Sequence, residues 1–269
     1  MNQDQISERG LVLLGCGKMG GAMLKGWLAG GLPAGSVYVI DPAPAPWLAE
    51  AGVRVNDGLP EAPAMTILAV KPQMMGAALP QVAALSGRTV FLSIAAGTTI
   101  STLEAALGAH AAVIRAMPNT PAAVGRGITA IIGNAAVDEA ALSLAETLLG
   151  AVGQTVRLDD EAQMDAVTAV SGSGPAYVFH LIETLAAAGE AEGLPPELAM
   201  ALARATVGGA GVLAEAADET PSELRVNVTS PGGTTQAALE VLMDPDSGFP
   251  PLLKRAVAAA ARRSRELGQ

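Results

Sequence analysis

The chain has 269 residues, which is long enough for two domains of ordinary size. Half of the residues are hydrophobic, yet only three Phe, two Tyr and two Trp are aromatic, so we expect a core of small and aliphatic side chains. A net charge of −10 argues against nucleic-acid binding, and a single cysteine excludes a disulfide within the chain.

The apolar composition raises the question of a membrane. The longest uncharged stretches, 72–87 and 166–182, are shorter than the roughly 18 residues of a spanning segment and contain Gly, Pro or Ser. We therefore expect no membrane helix. The polar N-terminal residues lack a secretory pattern, and with one cysteine they favour a cytoplasmic protein.

Short apolar runs alternate with helical segments through the first half of the chain. This pattern predicts strands at 11–14, 37–40, 65–70, 89–94, 112–114 and 128–132, and helices at 18–29, 47–51, 74–85, 100–107 and 138–149. Because the strands are continuously apolar, we expect a mostly parallel sheet that is covered on both faces.

The pattern changes near residue 160, where long Ala- and Leu-rich segments replace the β-branched runs. Helices are predicted at about 162–192, 195–217 and 250–267. The sequence therefore predicts an α/β domain over 1–160 and an all-helical domain over 161–269.

A glycine-rich motif follows the first strand and opens the first helix of the α/β domain. It has the G-x-G-x-x-G spacing of a dinucleotide fingerprint and consists of Gly15, Cys16, Gly17, Lys18, Met19 and Gly20. Such a loop brings backbone amides close to a pyrophosphate, which predicts a Rossmann domain that binds NAD(H) or NADP(H). We interpret Cys16 as a small loop residue, not as a redox thiol.

The phosphate state of the cofactor is left open by the residues that follow. Asp41 lies 21 residues after Gly20, where an acid binds the adenine ribose of NAD(H), although a turn former before Pro42 is an alternative. Arg54 and Asn56, at the end of a third strand, are the nearest candidates for a 2′-phosphate.

Further polar segments stand at other element ends. Lys71, in the run Ala69–Pro72, is either a cofactor contact or a solvated lysine. Ser230–Thr235 leads into a helix and is either an anion site or a simple cap.

Together with the prolines of 115–122 and with Ser171–Tyr177, these segments closely resemble the pyrroline-5-carboxylate reductase family, from Gly15 to about Leu267. The resemblance implies a Rossmann domain and a helical dimerisation domain, often in a ring of dimers. It also implies hydride transfer from NAD(P)H to L-1-pyrroline-5-carboxylate, the last step of proline biosynthesis.

Transferred by motif, the resemblance implies two sets of site residues. Besides Gly15–Gly20 and Asp41, the cofactor set contains Asn56, Ala69, Val70, Lys71 and Pro72, with Ala95, Gly97 and Asn119 near the nicotinamide. The substrate set contains Asn227, Ser230, Gly232, Gly233, Thr234 and Thr235. Lys18 and Asp41 depart from common members, and a carboxylate at 41 would repel a 2′-phosphate and favour NADH.

As a hypothesis of mechanism, amides around Gly232–Thr234 and the Ser230 hydroxyl hold the substrate carboxylate. The Thr235 hydroxyl, as the catalytic group, binds the ring nitrogen. We expect no metal.

Two rival functions remain. One is a 3-hydroxyacid dehydrogenase of the 6-phosphogluconate type, which would need a helical lysine where this chain has Ser171–Pro175. The other is a non-catalytic NAD(P)H-sensing dimer. In each case Ala- and Gly-rich helices, such as 199–217, would form a dimer interface.

Overall fold

The computed structural model describes residues 2–268, and its contacts divide the chain into two compact units. The first contains the chain up to Gly172 together with the segment from Ala261, and the second is Ser173–Ala260. The domain boundary between residues 160 and 161 stays a prediction, since the two units are defined by internal contacts alone.

The described residues of the first unit form one eight-stranded sheet of order β3-β2-β1-β4-β5-β6-β7-β8. Its strands are β1 Leu11–Leu14, β2 Val37–Ile40, β3 Arg54–Val55, β4 Met65–Leu68, β5 Val90–Ser93, β6 Ala112–Met117, β7 Gly127–Gly133 and β8 Gly153–Arg157. All neighbours pair in parallel except β6 and β7. The predicted mostly parallel sheet is confirmed, whereas β8 and the antiparallel pair were not predicted.

The helices of the first unit connect these strands. They are α1 Asn2–Arg9, α2 Lys18–Ala29, α3 Trp47–Glu50, α4 Met75–Ala78, α5 Ile100–Leu107, α6 Glu139–Gly150 and α7 Met164–Val167. The helical stretch predicted near 74–85 is divided, because α4 is followed by separate 3₁₀ turns at Leu79–Gln81 and Ala83–Leu85. Pro80 has no amide proton to donate and interrupts the α-helical pattern.

Apolar side chains are buried on both faces of the sheet. Leu11 and Leu13 of β1 belong to one buried cluster, with Trp27 of α2, and Val12 and Leu14 belong to a second cluster. Since successive side chains of a strand point to opposite faces, burial of both faces requires the continuous apolar runs seen in the sequence.

One ion pair between a buried arginine and a half-buried glutamate connects three elements of the first unit. Arg115 of β6 is 5% exposed, and its Nη1 lies 2.7 Å from Oε1 of Glu161. The same carboxylate oxygen accepts a hydrogen bond of 2.9 Å from the amide of Ile100, the first residue of α5. Glu161 therefore joins β6, α5 and the approach to α7.

Helices make up the second unit, in agreement with the predicted helical domain. They are α8 Gly174–Ala191, α9 Pro196–Ala216, α10 Pro221–Asn227, α11 Thr234–Leu242 and α12 Phe249–Leu267, the last of which continues beyond Ala260. The helix predicted at 162–192 is divided into α7, a π-helical segment Thr168–Gly172, and α8. α10 was not predicted.

Alanines hold α8 and α9 together, and larger apolar side chains are left outside. Ala186, Ala199 and Ala203 are at most 3% exposed and pack with Ile182. Phe179 and Leu213, in contrast, are 58% and 55% exposed within the single chain. Such a surface is typical of a helical face that packs against another chain.

By length and composition alone, α9 is long and apolar enough to cross a membrane, so the expected lack of such a helix stays a prediction. Arg204 lies near the middle of α9 and is exposed. An arginine at the centre of a spanning helix costs about 2.5–3.5 kcal/mol, which favours a protein or water environment for α9.

The ion pair generates a stability prediction. Glu161→Ala leaves the buried Arg115 guanidinium without its carboxylate, and we expect the free energy of unfolding to fall by about 3 kcal/mol. Urea unfolding at fixed protein concentration measures the change.

Glu139→Ala is the matched control, because Glu139 pairs with the exposed Arg157 and is itself 72% exposed. Removing an exposed pair costs about 1 kcal/mol or less. Equal destabilisation by the two substitutions would contradict the importance of the pair between Glu161 and the buried Arg115.

Candidate active site

The predicted cofactor residues collect at one edge of the sheet. The glycine motif follows β1, Asp41 follows β2, Asn56 follows β3, and the predicted segments 69–72, 95–97 and 119 follow β4, β5 and β6. These six strands are mutually parallel, so their carboxyl ends share an edge. Strand order reverses between β1 and β4, which is where open α/β sheets bind nucleotides.

Close contact between backbone segments explains the glycines. Gly15 has a φ of +89°, and a Cβ there would lie 2.8 Å from Cγ1 of Val70. A Cβ on Gly20 would lie 2.7 Å from the Gly15 carbonyl oxygen, whereas one on Gly17 would have nothing within 4 Å. Gly17 caps the start of α2, so the open space adjoins free amides and fits a pyrophosphate.

The other residues of the motif have different environments. Cys16 is buried, and burial, together with the nearby Asp41 charge, raises the pKa of its thiol to about 11. The thiol is therefore protonated at neutral pH, which fits a structural loop residue and not a redox centre. Lys18 is exposed at the first turn of α2, and Met19 packs partly against the core.

Asp41 connects the ends of three strands. Its Oδ2 accepts a hydrogen bond of 2.7 Å from the Cys16 amide, and its Oδ1 accepts one of 2.9 Å from the Ala43 amide. Asn56 holds the Asp41 backbone, because its Oδ1 accepts from the Asp41 amide at 3.1 Å and its Nδ2 donates to the Asp41 carbonyl at 2.9 Å. Asn56 has a φ of +51°, which asparagine tolerates better than most residues.

Arg54 lies toward the other end of β2. Its guanidinium stacks over the ring of Tyr38 at 5.0 Å and donates to the Gly35 carbonyl at 3.1 Å. Gly35 precedes β2, while Asp41 follows it. Arg54 thus does not accompany Asp41 and Asn56 at the carboxyl edge.

The segment after β4 forms the other wall of the glycine loop. The Ala69 amide donates to the Leu14 carbonyl at 2.8 Å, and Ala69 and Val70 are half-buried beside Gly15. Lys71 has an extended backbone and an exposed side chain, directly before Pro72.

The segment after β6 contacts Ser171, a residue that was not among the predicted site residues. Asn119 Oδ1 accepts from the Ile128 amide at 3.0 Å, and Asn119 Nδ2 donates to the Ser171 hydroxyl at 3.2 Å. Ala95 is buried, and Gly97, with a φ of +75°, lies against the Leu267 carbonyl. Ser171 belongs to the π-helical segment, and the Ser-Gly-Ser-Gly pattern around it was the available signal.

In the second unit, the predicted substrate loop forms a tight turn before α11. The Gly233 amide donates to the Ser230 carbonyl at 3.0 Å, and Gly232 has a φ of +67°. Proline at 231 and glycine at 232 suit the central positions of such a turn. The Gly232 amide donates to Oε1 of Gln236 at 2.8 Å, which makes Gln236 a second residue missed from sequence.

The predicted anion site in this loop depends on the start of α11. Gly233 is its N-cap, without a side-chain cap, and Thr234 and Thr235 are its first residues. Amides in the first turn of a helix have no acceptor four residues earlier and favour anions. Asn227 lies at the end of α10 and is exposed, while Thr235 is half-buried.

Comparisons with known proteins agree with this architecture. Residues 161–267 match the family described as pyrroline-5-carboxylate reductase dimerisation, and residues 10–97 match the family described as NADP oxidoreductase, coenzyme F420-dependent. The first match makes self-association a property of the helical region.

Relatives of similar length are found among curated proteins and solved structures. Pyrroline-5-carboxylate reductases of Pseudomonas aeruginosa and Pisum sativum are 42% and 40% identical, over 98% and 96% of this chain and 98% and 95% of theirs. The Coxiella burnetii enzyme structure has 32% identity and a TM-score of 0.90, covering 97% of this chain and 99% of that one. The NADP-bound structure from Plasmodium falciparum has 28% identity and a TM-score of 0.84, covering 98% and 99%. This chain belongs to the pyrroline-5-carboxylate reductase family.

Proposed function

We propose that the chain reduces L-1-pyrroline-5-carboxylate to L-proline with NAD(P)H, using the cofactor and substrate residues described above. The observation that carries this function is the glycine cradle between β1 and β4, where added side-chain atoms would collide with backbone and where the helix amides lie open. The turn before α11 supplies the complementary feature, a place for a small carboxylate.

Each part of the cofactor set can be assigned to one part of a bound dinucleotide. When bound, the reduced nicotinamide supplies the hydride for the reaction. Gly15–Gly20 would receive the pyrophosphate, Asp41 and Asn56 the adenosine side, and the segments at 69–72, 95–97 and 119 the nicotinamide side. The hydrogen bonds of Asn119 to Ile128 and Ser171 hold its amide in one orientation, as a binding group requires.

For the substrate carboxylate, the turn narrows the choice of donors. The amides of Gly232 and Gly233 already have acceptors in Gln236 and Ser230. We therefore assign these glycines to the shape of the turn, and the Thr234 and Thr235 amides with the Ser230 hydroxyl to the carboxylate. Three such donors at a helix start suit a carboxylate without a cationic side chain.

The Thr235 hydroxyl would accept a hydrogen bond from the protonated ring nitrogen and orient the imine carbon. An iminium is already electrophilic, so its reduction needs orientation more than it needs a strong base. Correct orientation can contribute several kcal/mol.

Neither rival function accounts for the same residues. A dehydrogenase of the 6-phosphogluconate type would need a lysine near Ser171–Pro175, but the lysines of this chain are at 18, 25, 71 and 254. A non-catalytic NAD(P)H sensor would have no use for the turn at Ser230–Thr235. Turnover with pyrroline-5-carboxylate, compared with turnover of 3-hydroxyacids, separates all three functions.

For the assembly, we propose a homodimer formed by the helical region and, by analogy with its family, a ring of such dimers. The negative net charge supports the proposal that nucleic acid is not a partner. Arg204 within α9 supports a protein environment for that helix, and the single reduced cysteine supports a cytoplasmic location.

The activity is tested by mixing the purified protein with pyrroline-5-carboxylate and either cofactor. We expect loss of NAD(P)H absorbance together with stoichiometric formation of proline. Reduction of NAD(P)+ by 3-hydroxyacids, or tight cofactor binding without turnover on any cyclic imine, would instead favour one of the rivals.

Thr235 gives the sharpest prediction about the chemistry. Thr235→Ala should lower kcat/KM for pyrroline-5-carboxylate about ten- to hundredfold, because a hydrogen bond to a charged group contributes about 1.5–3 kcal/mol. Thr235→Ser keeps the hydroxyl and should recover most of the loss. Unchanged kcat/KM in the alanine variant would remove Thr235 from this role.

Self-association gives a prediction about the helical region. Leu213→Glu places a charge on the exposed apolar side of α9, and we expect light scattering to show a smaller assembly with reduced activity, because burying that charge is costly. Val124→Glu is the control, since Val124 is 77% exposed and lies outside the matched dimerisation segment. A fully active wild-type monomer would contradict the proposal.

A further inference from the structure

The carboxylate of Asp41 has a fixed position at the edge where the cofactor is expected. Both of its oxygens accept backbone hydrogen bonds, from Cys16 at 2.7 Å and from Ala43 at 2.9 Å. Hydrogen bonds to an ionised acceptor are among the stronger ones in proteins. Moving this carboxylate aside for another anion would break both bonds.

Asn56 adds a second restraint on the same residue. Its amide group binds the Asp41 backbone at both the N–H and the carbonyl, and its own backbone amide donates to the Val39 carbonyl at 2.9 Å. Asn56 is thereby occupied with positioning Asp41. Its side-chain NH₂ is not directed at a phosphate group in this arrangement.

The basic side chain that could pair with a 2′-phosphate does not lie beside Asp41. Arg54 is the single Lys or Arg between residues 41 and 64. It stacks on Tyr38 and binds the Gly35 carbonyl. Tyr38 precedes Asp41 by three residues, so it lies about 10 Å back along the strand.

Three lysines near the glycine loop are the remaining cations to consider, and one of them, Lys71 after β4, belongs to the proposed nicotinamide side. Lys18 and Lys25 line an open cleft of about 700 Å³ along α2, together with Trp47. The Lys25 ammonium lies 4.9 Å from the centre of the Trp47 ring. This contact engages Lys25 with an aromatic face, in a cleft that is also lined by Cys16 and Gly17 of the glycine loop.

We infer that Asp41 is a specificity-determining residue and that this reductase prefers NADH to NADPH. With a dinucleotide bound, the fixed carboxylate would accept hydrogen bonds from the free hydroxyls of the adenine ribose and would repel a phosphate at the 2′ position. The inference rests on the proposed function only in taking a nicotinamide dinucleotide as the cofactor.

The test compares the two cofactors by binding and by turnover. Calorimetric titration of the protein with NADH and with NADPH gives two dissociation constants, and kcat/KM for each cofactor is measured with saturating pyrroline-5-carboxylate. We expect NADH to be favoured at least about tenfold by both measures. In Asp41→Ser, NADH should bind more weakly and NADPH more tightly, which reverses the preference.

Asp41→Asn guards against a folding artefact, because its one oxygen can still accept from the Cys16 or the Ala43 amide while the charge is removed. It should gain NADPH affinity with a smaller loss of melting temperature than Asp41→Ser. Glu50→Gln, on the exposed end of α3, removes the same charge away from the cofactor edge and should leave the cofactor ratio unchanged.

Three results would overturn the inference: equal affinity for both cofactors, a preference of the wild type for NADPH, or an unchanged ratio in Asp41→Ser. Loss of NADPH binding alone in Lys18→Ala or Lys25→Ala would assign the 2′-phosphate to those lysines, also against it. If NADH binds preferentially and depends on Asp41 but no proline forms, the proposed function fails while the inference stands.

Discussion

The close approach of the β1–α2 loop to the end of β4 is the constraint on which the candidate cofactor site depends. Gly15 can adopt its positive φ and fit beside Val70 only because it lacks a side chain, and Gly20 must be equally small to reach the Gly15 carbonyl. This contact places the start of α2 close to the ends of β1 and β4. The open amides of that helix then lie near the position where strand order reverses, so one packing requirement shapes both the fold and the candidate anion site.

Asp41 extends this constraint to the neighbouring strands. By accepting from the Cys16 amide, its carboxylate fixes the second residue of the glycine loop, and through Asn56 it also fixes the end of β3. The burial of Cys16, together with the negative charge of Asp41, raises the pKa of the thiol, which disfavours the reactive thiolate. A residue that would select the ribose is thus also part of the scaffold, and its substitution changes electrostatics and loop geometry together.

The sequence predicts an element well where a local pattern determines its conformation, and poorly where contacts with distant residues determine it. β1, β2 and α2 were predicted at their observed bounds, because burial on both faces and the glycine motif leave a strong local pattern. β8 (Gly153–Arg157) is mostly exposed and polar, so it owes its strand conformation to pairing with β7. The Asn119–Ser171 contact joins residues 52 positions apart, and the division of 162–192 into α7, a π-helical segment and α8 has no periodic signal. Neither the Asn119–Ser171 contact nor this division could be predicted from local sequence patterns.

The shortage of aromatic residues has the same physical origin in both units. Where backbones approach closely, as at Gly15 against Ala69 or at Ala186, Ala199 and Ala203 between α8 and α9, only small side chains fit. The contact between α8 and α9 buries these alanines, while the larger Phe179 and Leu213 of the same helices are exposed in the single chain. Covering such residues requires a second copy. The small-residue composition therefore serves two purposes. It allows the close backbone contact of the cofactor loop, and it leaves a helical surface that a second copy can cover.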